Sequence, residues 1–257
     1  MTDAEDGAAA RIRAEMAPER DGPPVVPQVR YILCSGPRVG SELVADGLAA
    51  TGRAGHPVEY LNQRHINAWL ARTGNGKADF ADYWYFLLTR RSTANGVFGI
   101  KAHWNHLWNT VGPDGAARFL GQFDACVQLY RRDRIAQAVS LHRAMETDIW
   151  RLDDETAAPA RAGYDAPGIA RALHLALRHE HGWTAALAAT DRPVLGVAYE
   201  DLVADYSATM HRIAAFLGLD DLAADAFAAP VVTRQTDPAK DTWYRRFLAD
   251  AGLQPQD

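Results

Sequence analysis

The sequence predicts a single α/β domain built on a mostly parallel sheet, and three observations carry that prediction. Four short apolar runs, at residues 29–35, 97–101, 125–131 and 194–199, each lead into a polar turn or a helix start. The stretches between them carry helical start and stop signals rather than hairpin turns. With 257 residues, 48% hydrophobic and 23% charged, and no Pro/Gly/Ser-rich seam, the chain has material for one full core and no visible boundary for a second.

In order along the chain, residues 1–28 are rich in Ala, Asp, Glu, Arg and Pro and read as a flexible leader, leaving 29–257 as the domain. The first run, VRYILCS, is apolar and partly β-branched and ends at Gly36-Pro37, the pattern of a buried strand leaving its sheet through a tight turn. A helix over residues 40–50 follows. After the third run, Asp133 is placed to cap a helix over 133–145. Pro167 suits the first turn of a long helix running to residue 188, and a helix over 207–217 is closed by Gly218. The Ala/Pro/acid-rich stretch 151–165 reads as a mobile loop, in a position to act as a lid.

Charge narrows the function classes. Lys and Arg number 27 against 32 Asp and Glu, a net charge of −5, and nucleic-acid binding calls for a concentrated basic face instead. Cys34 and Cys126 lie inside apolar runs without metal-ligand spacing and read as buried thiols in a reducing compartment. With no apolar stretch near about 18 residues and no secretory h-region in the N-terminal segment, a cytoplasmic location and no membrane span are expected. Only Lys77, Lys101 and Lys240 are lysines, which reads first as a GC-rich coding bias and draws attention to each.

Ligands of open α/β sheets bind beyond the carboxyl ends of the strands. There, Ser35-Gly36-Pro37-Arg38-Val39-Gly40-Ser41 runs from strand to helix and would aim backbone N–H groups and a helix N-terminus at an anion. A Walker A loop needs four residues between its glycines and then a lysine. Gly36 and Gly40 are separated by three, and no lysine precedes Ser41. The segment alone therefore admits an anion loop or a plain turn carrying an exposed arginine.

The run ILCSGPRVGSELVADGLAATGRAGHPVEYL resembles the start of the bacterial carbohydrate sulfotransferases related to trehalose 2-sulfotransferase. GVFGIKAHWN, YRRDRIAQAVSLHRAMETDIWR, EHGW, YEDL and RQTDPAKDTWYRRF follow in matching order, so the resemblance covers residues 31–247. It implies a P-loop-like fold and a sulfotransferase that uses 3′-phosphoadenosine 5′-phosphosulfate (PAPS) as donor, without a metal. It further implies that Arg38, Val39, Gly40, Ser41 and Glu42 lie at the 5′-phosphosulfate. Arg131 or Arg132 with Ser140 would clasp the 3′-phosphate, Tyr199 would touch adenine, and Arg234 would close over the nucleotide. Arg131 fits the family's arrangement more closely, while Arg132 fits the spacing of the cytosolic branch. Glu42 departs from the pattern, since relatives usually carry a small hydroxyl residue there. Two like charges at 4 Å cost ~4 kcal/mol at an effective dielectric of ~20. Glu42 must therefore turn away, be paired, or mark a changed cofactor.

For the acceptor hydroxyl, the resemblance offers Glu59 as base, with a raised pKa expected from partial burial. Lys101-Ala102-His103 matches the Lys-x-His of cytosolic sulfotransferases and leaves His103 as the competing base, with Lys101 stabilising the leaving phosphate. His174, His179 and His181 share no metal-binding spacing and read as satisfied or solvated. Tyr83, Trp84, Tyr85 and Phe86 with Trp104 and Trp108 read either as core and interface packing or as a sugar-stacking platform. The expected function is transfer of a sulfuryl group to a hydroxyl of a small carbohydrate or natural product, in a family that is often dimeric. The alternatives are a nucleotide-dependent phosphotransferase and a sulfotransferase-like protein that binds nucleotide without transfer.

Overall fold

A computed structural model describes residues 3–74, 79–112, 114–150, 163–230 and 238–254. The four apolar runs form strands β1 (Val29–Ser35), β2 (Val97–His103), β3 (Ala125–Tyr130) and β4 (Val194–Ala198), all parallel, in the order β2-β1-β3-β4. Parallel neighbours need long crossovers. Helices supply them: α1 (Asp3–Glu15) precedes the sheet, and α2 (Ser41–Ala50), α3 (Gln63–Thr73) and α4 (Phe80–Arg90) join β1 to β2. α5 (Trp104–Val111) and α6 (Ala116–Leu120) lead to β3, α7 (Arg134–Thr147) and α8 (Ala166–Ala188) lead to β4, and α9 (Tyr199–Ala204), α10 (Tyr206–Phe216) and α11 (Pro238–Asp250) complete the chain.

Both faces of the sheet are covered, which is why β1 reads as an unbroken apolar run. Tyr31 and Leu33 pack with Val44 and Leu48 of α2 and Met210 and Ile213 of α10. Ile32 and Cys34 point the other way, into a core shared with Trp84, Phe98, Phe123 and Trp183. Cys34 and Cys126 are free, buried thiols.

Helix ends follow the sequence signals. The Asp133 carboxylate accepts from the Ala136 N–H at 2.8 Å, so α7 starts where expected, and Asp205 caps α10 in the same way through the Ala208 N–H at 2.9 Å. The expected helix 207–217 spans Tyr206–Phe216, and 167–188 spans Ala166–Ala188. β2 runs on to His103 because Ser35 of β1 still pairs with it. The fourth strand ends at Ala198, and Tyr199 opens a helix instead of closing the strand.

The segment 1–28, expected as a flexible leader, contains α1 and carries buried side chains. Ile12 and Met16, one helical turn apart, are buried in the domain. The buried Arg91 donates from Nη1 to the Glu15 carbonyl at 2.9 Å and approaches Asp21 Oδ1 at 2.9 Å, while Arg72 pairs with Asp21. An alanine-rich composition hid the helix: of its described side chains Ile12 is buried, joined by Met16 just past its end. Of the expected lid, residues 151–162 lie outside the described residues, as does Arg234.

The aromatic concentration divides by packing. Tyr83 and Trp84 are buried among Trp69, Phe80, Phe98 and Phe119. Trp104 packs edge-on against Trp183, over Gly182, where an added Cβ would lie 2.1 Å from the indole. The EHGW segment is thus a packing device, and Trp183 Nε1 donates to the Ser35 carbonyl at 2.8 Å, fixing the end of β1.

Candidate active site

A cavity of about 1150 Å³ opens beyond the carboxyl ends of β1, β2 and β3. Its floor is the turn from β1 into α2. Two residues there take left-handed backbone, Arg38 (φ 63°) and Gly40 (φ 79°). Only glycine suits the second, since a Cβ on Gly40 would stand 2.8 Å from the Tyr199 ring. The strained turn is pinned from α7, where Gln137 Nε2 donates to the Pro37 carbonyl at 2.8 Å. Gly40 has no side chain to cap α2, so the N–H groups of its first turn face outward beside Ser41.

That backbone aims Arg38 at α7. Its Nε donates to Ser140 Oγ at 3.1 Å and its Nη1 to the Trp150 carbonyl at 2.7 Å. Arg131, at the end of β3, lies with its guanidinium 4.6 Å from the Tyr199 ring centroid and 3.9 Å from Glu200. Burial, and then the nearby Arg131, lower the proton affinity of Arg38, offset in part by Glu42 and Tyr199. Glu200 accepts from the Arg132 and Asp133 N–H groups at 3.0 and 3.2 Å, holding the β3 loop against α9.

The other end of the cavity is a chain of ionisable groups. Lys101, 3% exposed at the end of β2, contacts Glu42 Oε1 and lies 3.2 Å from Glu59 Oε1. The same Glu59 oxygen is 3.3 Å from His103 Nε2, and Asn62 Nδ2 donates to the second oxygen at 3.2 Å. His103 Nδ1 lies 3.1 Å from Ser35 Oγ. The same nitrogen lies 3.3 Å from the Ser35 carbonyl, so the ring bridges the end of β1 and Glu59. Burial pushes the Glu59 pKa up, but Lys101, His103 and His106 together outweigh it and hold the carboxyl well below the usual range. The raised value expected from burial is thereby reversed. Burial likewise opposes the charge on Lys101, yet Glu42 and Glu59 raise it above an ordinary lysine.

The residues singled out in the sequence therefore converge in large part. Arg38, Gly40, Ser41, Glu42, Glu59, Lys101, His103, Arg131, Ser140 and Tyr199 all line the cavity. Val39 turns into the core beside Val44, and Arg132 faces away, paired to both Asp201 oxygens at 2.7 Å. None of the aromatic residues from Tyr83 to Phe86, nor Trp104 or Trp108, lines it. Among the described residues, no group of three or more His, Cys, Asp or Glu side chains is arranged to hold a metal ion, and no helix is long and apolar enough to cross a membrane.

The Stf0 sulphotransferase family matches this chain over residues 30–250. The chain belongs to that family. It is 29% identical to the trehalose 2-sulfotransferase of Mycolicibacterium smegmatis, with 86% of this chain and 95% of the relative covered. It is 27% identical to the trehalose 2-sulfotransferase of Mycobacterium tuberculosis over the same shares of the two chains. The solved sulfotransferase domain of the Synechococcus PCC 7002 olefin synthase superposes with a TM-score of 0.46 at 20% identity, covering 92% of this chain and 98% of that one.

This Stf0 member also holds cavity residues that the sequence did not single out or read as ordinary. His106, one turn beyond His103, lies 3.9 Å from Glu59 Oε2, and burial, then His103, draw it down to about 4. His179 of α8 is buried, with its Nδ1 lacking a hydrogen-bond partner and its ring 6.1 Å from His103. Burial, and then His103, His106 and Arg178, bring it to about 3. The i, i+3 spacing of His103 and His106 was a readable signal for the first, while only tertiary packing brings α8 and His179 to the site.

Proposed function

We propose that this sulfotransferase-family protein moves a sulfuryl group from PAPS to a hydroxyl of a small neutral carbohydrate or natural product, with trehalose the first acceptor to try. The observation that carries the reading is the single Glu59 oxygen shared by Lys101 at 3.2 Å and His103 at 3.3 Å, in a cavity whose far end holds Arg38, Arg131 and Ser140. The named relatives supply the acceptor class.

The residues present suit an elongated nucleotide with an anion at each end. Arg38, expected at the 5′-phosphosulfate, donates to Ser140 and would instead join Ser140 and Arg131 on the 3′-phosphate side, leaving the uncapped first turn of α2 and Lys101 for the 5′-phosphosulfate. In the transfer, the acceptor oxygen bonds to sulfur and the bond from sulfur to the 5′-phosphate oxygen breaks. The hydroxyl proton goes to Glu59, and 3′-phosphoadenosine 5′-phosphate leaves. Glu59 Oε2, with one donor from Asn62, keeps a lone pair for that proton. Lys101 meets the charge developing on the leaving oxygen. Both nitrogens of His103 are engaged, with Ser35 and Glu59, so its part is to orient the carboxylate. The low proton affinity of Glu59 keeps it ionised at neutral pH. A cytoplasmic homodimer is the accompanying expectation.

Calorimetric titration with 3′-phosphoadenosine 5′-phosphate, with and without magnesium, tests the donor. Binding independent of magnesium is expected. No binding, or magnesium-dependent binding of ATP in its place, would overturn the reading, and incubation of PAPS with trehalose and other neutral sugars, followed by mass spectrometry, tests the acceptor.

A further inference from the structure

Lys101 is the cation at the reacting end of the cavity, and its ammonium is already shared by two carboxylates, Glu42 and Glu59. One ammonium faces two carboxylates there, Arg38 is a further positive charge that Glu42 feels, and the donor must bring more anionic oxygens to Lys101. One carboxylate has to give way, and their surroundings distinguish them. The Glu59 side chain is 19% exposed and is held from three further sides by His103, His106 and Asn62. The Glu42 side chain is twice as open, at 38%, and stands on the first turn of α2, where the helix N-terminus favours it.

We propose that Glu42 is a built-in competitor that sets donor affinity: its carboxylate holds the Lys101 ammonium until the anionic end of the donor takes its place. The proposal rests on the sulfuryl-donor reading for the identity of that anion. Competition acts through one contact, whereas general repulsion would act through charge alone, and the two separate when the carboxylate is shortened with its charge retained.

The experiment measures the affinity of wild type, Glu42→Gln and Glu42→Asp for two probes, 3′-phosphoadenosine 5′-phosphate and inorganic pyrophosphate, by calorimetry at low salt. Glu42→Gln is expected to bind both about tenfold more tightly, and Glu42→Asp to show a smaller gain of about threefold, because its carboxylate reaches Lys101 less well. No gain in Glu42→Gln overturns the proposal, and so does a gain in Glu42→Gln with none in Glu42→Asp, the mark of charge repulsion only. If the nucleotide binds to no variant while both pyrophosphate gains appear, the competition stands and the donor reading falls. Nucleotide binding that is equal in all three proteins leaves the donor reading standing and removes the competition.

Discussion

The two ends of the cleft hold their cations in opposite ways. At the α7 end, Arg38 is met by a hydroxyl and a backbone carbonyl, and Arg131 by the face of Tyr199 with Glu200 at 3.9 Å. At the β2 end, Lys101 is clamped by Glu42 and Glu59. The effect on proton affinity differs in sign. Burial and Arg131 lower Arg38, while the two carboxylates overcome burial and raise Lys101. An anion arriving at the first end meets Arg38 and Arg131 together, close enough that Arg131 lowers the proton affinity of Arg38. At the second end Lys101 already holds two carboxylates, and under the proposed displacement of Glu42 the first end would bind and the second discriminate.

The largest expected effect breaks the second end. Glu59→Gln should lower turnover by about 10²-fold or more while leaving nucleotide affinity little changed, since the base acts on the acceptor proton rather than on the donor. Steady-state kinetics beside calorimetry checks it, and unchanged turnover would move the base to His103. A smaller effect tests the first end. Replacing Arg131 and Ser140 together by Ala should weaken binding of the 3′-phosphorylated nucleotide by about 10- to 100-fold, but hardly alter that of the analogue lacking the 3′-phosphate. Equal losses for both nucleotides would mean that this end does not recognise that phosphate, and the division of labour between the ends would collapse.

How far the sequence could be read follows the same physics. β1 to β3 were legible because burial on both faces leaves unbroken apolar runs, α7 because Asp133 caps it through its own side chain, and α10 because Gly218, at φ 70°, closes it. Arg38, Lys101 and Arg131 were legible because each lies near or just beyond the carboxyl end of a strand, where ligands of such sheets bind. The Glu42 to Lys101 pair was not, for its members are 59 residues apart and meet only through the register of β1 against β2. Nor was the sign of the Glu59 shift: burial alone argues for a raised value, and the opposing lysine and histidines come from another strand and helix. Helix α1 was missed because its alanine-rich sequence gives little apolar pattern, with Ile12 and the following Met16 as its described buried side chains, and Arg132 was separable from Arg131 only by seeing it turn to Asp201.

The smallest expected effect concerns stability, and it separates the ends by their histidines. The β2 end gathers His103, His106 and His179 about one lysine, while the arginines of the α7 end meet a serine hydroxyl, a backbone carbonyl and a tyrosine ring. Burial, and then repulsion from His103, bring His106 to about 4 and His179 to about 3. In the unfolded chain both take up protons near the ordinary value of about 6.5. Between that value and their folded values the unfolded state binds more protons, so stability rises with pH and is lost as pH falls. Each such histidine contributes a slope of up to about 1.4 kcal/mol per pH unit across its window. Urea unfolding of wild type and His179→Gln between pH 7 and pH 5 reads the slope above the range in which carboxylates titrate. The variant is expected to show the shallower dependence. Identical slopes would mean that folded His179 accepts its proton at an ordinary pH, and that the β2 end has room for a positive charge besides Lys101.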